Sequence, residues 1–168
     1  VGFKDFKFKL VGDDAADGAK LKRFAALSAE AGGPFRVRLD ANNVWGDEVD
    51  RALASLRALG PVFAVEEPLR AGRADDLSRL STELAVPIIL DECLCRPADV
   101  ARYAALPGQW IANVKVSKSG GLQRAIAIIR DAAKAGWPVL IGAQVGETSV
   151  LTRAGLVATG CSARYQRA

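Results

Sequence analysis

Short apolar runs alternate with amphipathic segments along the whole chain. The runs predict strands over 6–10, 37–39, 62–65, 88–90, 111–114 and 139–141. Between and after them, apolar residues recur at i, i+3, i+4 and i+7, which predicts helices that begin near Asp13 or Asp14 and over 49–59, 75–84, 97–105, 121–135 and 149–159. Glycines end several of these segments, including Gly32–Gly33 after the first helix and Gly136 after the fifth. The pattern is therefore one of strands and helices in strict alternation.

The predicted strands lack the polar alternation of a sheet with one wet face, which indicates a parallel sheet covered on both sides. A doubly wound sheet is an alternative, but it normally binds its ligand at a switch point in the strand order. The regular spacing of the strand and helix units favours an α/β protein of the (β/α) TIM-type barrel class. Because a closed barrel has eight strands, we expect an incomplete barrel of about six strands, barrel strands 2 to 7. Nothing in 1–168 reads as an interdomain linker.

Half of the 168 residues are apolar, enough for a sizeable core in one domain. The chain contains no Met, from which we expect a piece of a longer protein. No apolar run approaches the roughly 20 residues of a membrane helix, and no segment resembles a signal peptide. We expect a cytoplasmic protein with no membrane partner.

The net charge of +4 is spread over the chain, without basic runs beside exposed aromatic residues. This distribution argues against a nucleic-acid partner. Cys93, Cys95 and Cys161 are an odd number in a chain that contains no His, and the C-x-C spacing is not that of a zinc ribbon. We interpret them as reduced thiols.

Acidic residues end three successive strands, and a lysine ends the strand on either side of them. Asp40, Glu66 and Asp91 recur at intervals of about 25 residues, the length of a strand, a helix and two loops. Lys9 precedes them and Lys115 follows at nearly the same interval. If parallel strands of one barrel carry these residues at their C-terminal ends, the side chains converge, which predicts a divalent metal flanked by bases.

The chemistry of these side chains suits proton abstraction next to a carboxylate. Three carboxylates suit Mg²⁺, with Mn²⁺ as a substitute, and leave coordination positions open for a substrate carboxylate. Removal of an α-proton creates negative charge that such a cation stabilises. A lysine can act as the base if nearby positive charge favours its neutral form, and the metal and Lys7 would supply that charge for Lys9.

Each assignment has an alternative. A single strand-end carboxylate is most often a helix cap or a loop residue. Glu67 and Glu92 directly follow two of the predicted ligands and would replace them if the strand register shifted by one residue. Lys7 is also compatible with a solvated charge at a strand end.

Further polar residues follow the same strands. Asn42 has two interpretations. It orients a metal ligand or the substrate through a hydrogen bond, or it is an ordinary turn residue after a strand. The segment Ser117-Lys118-Ser119-Gly120-Gly121 either forms a tight strand-to-helix turn, which we favour, or binds a phosphate through its backbone N–H groups. Lys118 remains a candidate substrate contact, and Glu147, after the last predicted strand, is a candidate pocket residue.

The segments GFKDFKFKLVG, RLDANNVW, VEEPL, ILDE, NVKVSKSGG and IGAQVGETS resemble, in order and spacing, the C-terminal barrel of the enolase superfamily. The resemblance is to its mandelate racemase and muconate lactonizing branch, in the muconate lactonizing subgroup. It implies Asp40, Glu66 and Asp91 as metal ligands and Lys9 and Lys115 as the acid/base pair. Members similar to mandelate racemase use a His near the seventh strand, so the lack of His favours the subgroup with two lysines.

The resemblance implies a magnesium-dependent enzyme that abstracts the α-proton of a small carboxylate substrate. We expect a racemase or epimerase of amino-acid derivatives or dipeptides. A cycloisomerase or dehydratase, of the muconate lactonizing or succinylbenzoate synthase type, is the alternative, and a non-catalytic barrel fragment is an alternative of another class. The family's N-terminal capping domain, which largely selects the substrate, is expected to be absent from 1–168, and a homo-oligomer is expected.

Overall fold

A computed structural model describes residues 2–33 and 35–166. Strands and helices alternate through it, in the order β1 (Asp5–Lys9), α1 (Asp14–Glu30), β2 (Arg36–Asp40), α2 (Val49–Leu59), β3 (Ala64–Glu66), α3 (Ala74–Leu84), β4 (Ile88–Leu90), α4 (Pro97–Ala104), β5 (Trp110–Val114), α5 (Leu122–Lys134), β6 (Val139–Ile141) and α6 (Val150–Tyr165). The strands follow the chain order in the sheet, from β1 to β6. This order confirms the predicted α/β class of the incomplete TIM type.

Local signals in the sequence set several helix boundaries. The Asp13 side chain caps α1 by accepting a hydrogen bond from the Ala16 N–H at 2.8 Å. Pro97 stands in the first turn of α4, where its missing N–H costs nothing. Gly60 follows α2 with a φ of 85°, a conformation that glycine adopts without strain.

The chain divides into two compact units, of which Val1–Ile88 is the first. Within it β1 pairs with β2 and β2 with β3, both in parallel. The register places Lys9 opposite Asp40, and Asp40 opposite Glu66. The strand ends in this unit therefore carry their charged residues at one level.

The helices α2 and α3 of the first unit bury apolar faces, as their periodicity predicts, whereas the predicted apolar face of α1 is only half-buried. Leu53 and Leu56 of α2 and Leu77 and Leu80 of α3 are buried. The α1 helix instead contributes Phe24 to an aromatic cluster, whose other members lie in or beside the strands: Phe6, Phe8 and Phe35. The first unit thus has a core of its own.

The second unit is Ile89–Ala168. In it β5 pairs with β6 in parallel, and β5 is buried along its whole length. Ile128 and Ile129 of α5 are fully buried, and Tyr103 packs edge-on against Trp110. The second unit also has its own apolar core.

The last helix is longer than the sequence pattern predicted. The prediction ended it at 159, before Gly160, but α6 continues to Tyr165. A Cβ added at Gly155 or Gly160 would meet nothing within 4 Å, so both positions lie in open surroundings where a glycine fits within a helix. Contacts with α5 support the helix, which outweighs the low helix propensity of glycine.

Candidate functional site

The ends of β1, β2 and β3 carry a cluster of two lysines and two carboxylates, here called the first cluster: Lys7, Lys9, Asp40 and Glu66. Lys7 Nζ lies 2.9 Å from Asp40 Oδ2 and 3.5 Å from Glu66 Oε2. Lys9 Nζ lies 2.8 Å from the same oxygen of Asp40. Both carboxylates are buried, whereas the Lys9 side chain is exposed. The first cluster thus brings together four of the residues predicted from sequence.

Strand geometry explains why these four side chains meet. Side chains alternate between the faces of a strand, so residues two apart, such as Lys7 and Lys9, share a face. The parallel register then sets Lys9, Asp40 and Glu66 side by side on neighbouring strands. Sequence spacing and strand register lead to the same grouping.

The charges of the first cluster stabilise one another. Burial alone would raise the pKa of Asp40, but the hydrogen bonds and charges of Lys9 and Lys7 outweigh it and hold that pKa below its usual value. Burial alone would lower the pKa of Lys7, but its hydrogen bond to Asp40 and the charge of Glu66 raise it. Asp40 is therefore ionised and Lys7 protonated at neutral pH.

The structure distinguishes each predicted carboxylate from the glutamate that follows it. Glu66 lies within β3, in register with Asp40, whereas Glu67 follows the strand with a φ of 41° and its carbonyl accepts the Asn43 N–H. In the second unit Asp91 is buried and Glu92 is exposed. Glu67 is itself buried, so burial distinguishes Asp91 from Glu92 but does not distinguish Glu66 from Glu67.

A buried aspartate on α1 holds the loop after β1 in place. Asp17 accepts hydrogen bonds from the N–H groups of Val11, at 3.1 Å, and Gly12, at 3.0 Å. Lys20 bonds to Asp17 at 3.2 Å and to the carbonyl of Lys9 at 2.6 Å. The end of β1 that carries Lys9 is thereby tied to α1.

The second unit contains another group of charged residues, here called the second cluster: Asp91, Lys115 and Lys118. Asp91 directly follows β4, and Lys115 directly follows β5. Lys115 Nζ donates to Asp91 Oδ2, and Lys118 Nζ donates to Asp91 Oδ1 at 2.6 Å. Burial would raise the pKa of Asp91, but its bonds to Lys115 and Lys118 lower it, so the buried carboxylate is ionised.

The segment from Ser117 to Gly121 forms a turn that uses its own backbone donors. The Ser119 N–H donates to the Lys115 carbonyl at 3.0 Å, and the Gly121 N–H donates to the Val116 carbonyl at 3.0 Å. Gly120 and Gly121 have φ values of 76° and 114°, which glycine adopts readily. The structure favours the tight turn over the phosphate-binding alternative.

Gly142, after β6, lies close to the Lys115 side chain. A Cβ at this position would lie 2.5 Å from Asn113 Oδ1 and 3.1 Å from both Cγ and Cε of Lys115. A larger residue would therefore have to displace one of these side chains.

Two further predicted residues lie in loops. Glu147 accepts hydrogen bonds from the Ser117 hydroxyl and from the Gln144 N–H, and the bond to Ser117 is the main cause of its lowered pKa. Asn42 is exposed in the turn after β2, with a φ of 46°. The structure thus links Glu147 to the segment after Lys115 and places Asn42 at the surface.

Sequence reasoning missed Arg38 and Asn113, and it named Ser117 only as part of a turn and not as a partner of Glu147. Arg38 stands two residues before Asp40 on β2, and its charge acts on Lys7. Asn113 stands two residues before Lys115, is buried, and accepts a hydrogen bond from Lys118 through its carbonyl. The period of two along a strand was the available signal for Arg38 and Asn113.

The donor set fits a divalent cation. Asp40, Glu66 and Asp91 are carboxylates with 4%, 2% and 3% exposure, and such buried charges need a positive partner. Lysine ammonium groups fill that role for all three. Among residues 2–33 and 35–166, no three acidic or thiol side chains stand in a ready-made metal-binding arrangement. The ligand type of these side chains therefore suits a divalent cation, whereas their present arrangement is that of ion pairs with lysines.

No helix in the described ranges is long and apolar enough to cross a membrane.

Three known proteins show what the chain is similar to. It is 32% identical to the D-Ala-D/L-Ala epimerase of Cytophaga hutchinsonii over 84% of this chain and 38% of that protein. A dipeptide epimerase from Enterococcus faecalis, in complex with Mg and the dipeptide L-Leu-L-Tyr, is 26% identical with a TM-score of 0.79, covering 99% of this chain and 45% of that one. The muconate lactonizing enzyme of Pseudomonas putida is 25% identical with a TM-score of 0.78, covering 94% and 43%.

The chain therefore spans about two-fifths of the length of the curated relatives that it matches. These relatives include epimerases, a racemase and a cycloisomerase, all of them isomerases. The family model described as enolase C-terminal domain-like matches residues 1–166. With strand-end lysines and carboxylates in both units, the chain belongs to the enolase C-terminal domain-like family.

Proposed function

We propose that this chain supplies the proton-transfer residues of an isomerase that abstracts the α-proton of a carboxylate substrate. Epimerisation or racemisation of amino-acid derivatives or dipeptides is the favoured reaction. The observation that carries the proposal is the pairing of buried strand-end carboxylates with lysines, Lys9 on Asp40 and Lys115 on Asp91. The similarity to two hydrophobic dipeptide epimerases supports the choice of substrate class.

We further propose that Asp40, Glu66 and Asp91 bind Mg²⁺, for which Mn²⁺ can substitute. Buried carboxylate oxygens are the ligands that these cations prefer. A bound cation would stabilise negative charge on the substrate carboxylate as the α-proton leaves. The proposed ligand set includes carboxylates from both clusters.

Within the first cluster, Lys9 is the proposed proton acceptor and Lys7 the fixed positive charge. Both ammonium groups contact Asp40 Oδ2, so the charge of Lys7 lies directly beside Lys9. Lys7 also contacts Glu66 and has a raised pKa, so it is the lysine that keeps its proton. Lys115 is the proposed partner that donates or removes a proton on the opposite face of the substrate.

The remaining predicted residues have supporting roles in this proposal. Glu147, held by Ser117 and Gln144, and the exposed Asn42 are candidate substrate contacts. Lys118 acts through Asp91. The partner is a small-molecule carboxylate, and a homo-oligomer stays a prediction.

The first experiment follows the α-proton in D₂O. The full-length protein with Mg²⁺ is incubated with a panel of N-acyl amino acids and dipeptides, and NMR measures α-deuterium incorporation and stereochemistry. We expect exchange that depends on the metal and is lost with a chelator. Neither exchange nor elimination on any panel member, with Mg²⁺ present, contradicts the proposal.

Single-lysine variants then test the two-base geometry. Lys9→Met and Lys115→Met should each abolish epimerisation, yet each should retain exchange from one of the two epimers, because one base remains for one face. The exposed Lys4 provides the control, and Lys4→Met should behave as wild type. Loss of exchange from the same epimer in both variants would rule out opposed bases.

A cycloisomerase is the second candidate, favoured by the similarity to the muconate lactonizing enzyme. Such a reaction needs one lysine for proton transfer, while the other stabilises charge. It predicts lactone formation or ring opening with a muconate-type substrate, and no inversion at the α-carbon of any dipeptide. The same NMR panel, extended to unsaturated dicarboxylates, separates the two.

A further inference from the structure

Lys118 lies three residues after Lys115, and its ammonium group is committed to the protein. Its side chain is 8% exposed. It donates to the carbonyl of Asp91, to Asp91 Oδ1 at 2.6 Å and to the carbonyl of Asn113 at 3.0 Å. An ammonium group has three N–H donors, so these acceptors use all of them and leave none for a substrate.

Two of the three acceptors belong to Asp91, one in its backbone and one in its side chain. Because one ammonium group binds both the backbone carbonyl and the side-chain oxygen of Asp91, it forms a hydrogen-bonded ring with this residue. This ring fixes the direction of the carboxylate. The bond to Asn113, in β5, ties the ring to the neighbouring chain segment. The buried ammonium group of Lys118 therefore fixes the orientation of the Asp91 carboxylate.

The two oxygens of Asp91 have different environments. Oδ1 is held by Lys118, whereas Oδ2 is bound by Lys115, whose side chain is 15% exposed. Removing one partner from a buried ion pair is strongly unfavourable, so the bond to the more buried Lys118 is the less exchangeable of the two. Oδ2 is the oxygen whose partner can be exchanged.

From this asymmetry we propose that Lys118 is a positioning residue, which holds Asp91 so that it offers one oxygen, Oδ2, to a divalent cation. The inference rests on the proposed function, in which Asp91 is a metal ligand. Mg²⁺ is small and demands near-octahedral ligands, whereas Ca²⁺ is larger and accepts carboxylates through both oxygens. Lys118 therefore favours Mg²⁺ over Ca²⁺.

Calorimetric titration of the full-length protein with Mg²⁺ and Ca²⁺ tests this role without relying on turnover. Lys118→Met should weaken Mg²⁺ binding by roughly 10- to 100-fold, the usual effect of losing a residue that orients a ligand. Ca²⁺ binding should fall less, because the released carboxylate can offer both oxygens. Lys134→Met, at an exposed lysine of α5, is the matched control and should bind both ions as wild type does.

A crystal structure of the wild-type protein with Mg²⁺ covers the case in which Lys118→Met does not fold. The expected result is Mg²⁺ on Oδ2 alone, with Lys118 still on Oδ1. Coordination through both oxygens, a Lys118 turned toward substrate, or unchanged Mg²⁺ and Ca²⁺ affinities in folded Lys118→Met would each overturn the inference. If the wild type exchanges α-protons with Mg²⁺ and the variant binds metal normally, only this inference fails; if the wild type binds no Mg²⁺, the proposed function fails too.

Discussion

Lysines keep the buried carboxylates at the strand ends charged. The same lysines therefore affect both the ionisation of the site and the stability of the fold. Burial by itself would raise the pKa values of Asp40 and Asp91, yet both are lowered because each carboxylate is bound by two ammonium groups. Loss of one partner from a buried ion pair leaves an uncompensated charge. A variant of Lys9 or Lys115 must therefore be tested for folding before its loss of activity is interpreted.

Gly142 controls the space beside Lys115. In Gly142→Ala the new Cβ would meet Asn113 Oδ1 at 2.5 Å and the Lys115 stem at 3.1 Å, so one of these side chains must move. Displacement of a reacting group by about 1 Å can cost on the order of 100-fold in rate. We expect kcat to fall by roughly 10- to 100-fold, measured as turnover on the best substrate of the panel.

Gly155→Ala is the matched control for that substitution. Gly155 lies within α6 and an added Cβ meets nothing within 4 Å. Turnover should be unchanged, and the free energy of unfolding should rise by about 0.5–1 kcal/mol because alanine favours the helix. Wild-type kcat in Gly142→Ala would show that the function of Lys115 does not depend on the absence of a side chain at position 142.

At the scale of elements, the loop between β1 and α1 depends on one buried side chain. Asp17→Ala leaves the N–H groups of Val11 and Gly12 without their acceptor. Hydrogen bonds to a charged acceptor contribute about 1.5–3 kcal/mol, but Val11 is exposed and Gly12 is half-buried, so water replaces part of what is lost. We expect the free energy of unfolding to fall by about 1–3 kcal/mol. Urea denaturation measures it.

Asp14→Ala serves as the control, because Asp14 is an exposed acid in the first turn of the same helix. It should cost less than about 1 kcal/mol, the usual size of a helix-dipole contribution. Equal losses in the two variants would mean that the Asp17 hydrogen bonds add nothing beyond the effect of an acidic residue on α1.

The helices α2 and α3 are joined by an exposed charge network around Glu83. Arg57 lies 2.8 Å and Arg79 2.7 Å from its carboxylate oxygens, and these bonds lower the pKa of Glu83 from its ordinary value of 4.5. A lowered folded-state pKa means that the stabilisation is complete above the unfolded pKa and disappears as the pH falls through the folded one.

The Glu83 network therefore predicts a pH-dependent difference between wild type and Glu83→Gln. Wild type should be the more stable at pH 7, and the difference in unfolding free energy should shrink below about pH 4.5. It should also shrink at high salt, since exposed charges are screened. Thermal melts at several pH values measure it, and a difference that grows toward low pH would contradict the assignment.

Much of this architecture follows from local patterns in the sequence, and the exceptions have a physical cause. The bounds of β4 and β6 are those predicted, because short apolar runs flanked by turn residues fix them. The register between strands places Lys9, Asp40 and Glu66 at one level, as their spacing predicts. The contacts of Lys118 were not predictable, since its acceptors meet it only after the turn following β5 has formed.

At the scale of the whole molecule, the question is whether the two clusters serve one function. The proposed ligands Asp40 and Glu66 belong to the first unit and Asp91 to the second. A ligand that binds only the folded state stabilises it by RT ln(1 + [L]/Kd), about 2.7 kcal/mol at 100 times the Kd. The Mg²⁺-dependent increment in unfolding free energy therefore reports binding without reference to catalysis.

If one cation takes ligands from both clusters, Asp40→Asn and Asp91→Asn should each remove nearly the whole increment. We expect that result, measured by urea denaturation of the full-length protein with and without Mg²⁺. Because the increment is taken within each variant, it separates metal binding from the cost of leaving lysines without their carboxylate. Asp75→Asn, at an exposed acid of α3, should keep the full increment. If each cluster bound its own cation, each single variant would keep the part contributed by the other cluster, and the shared centre would have to be abandoned.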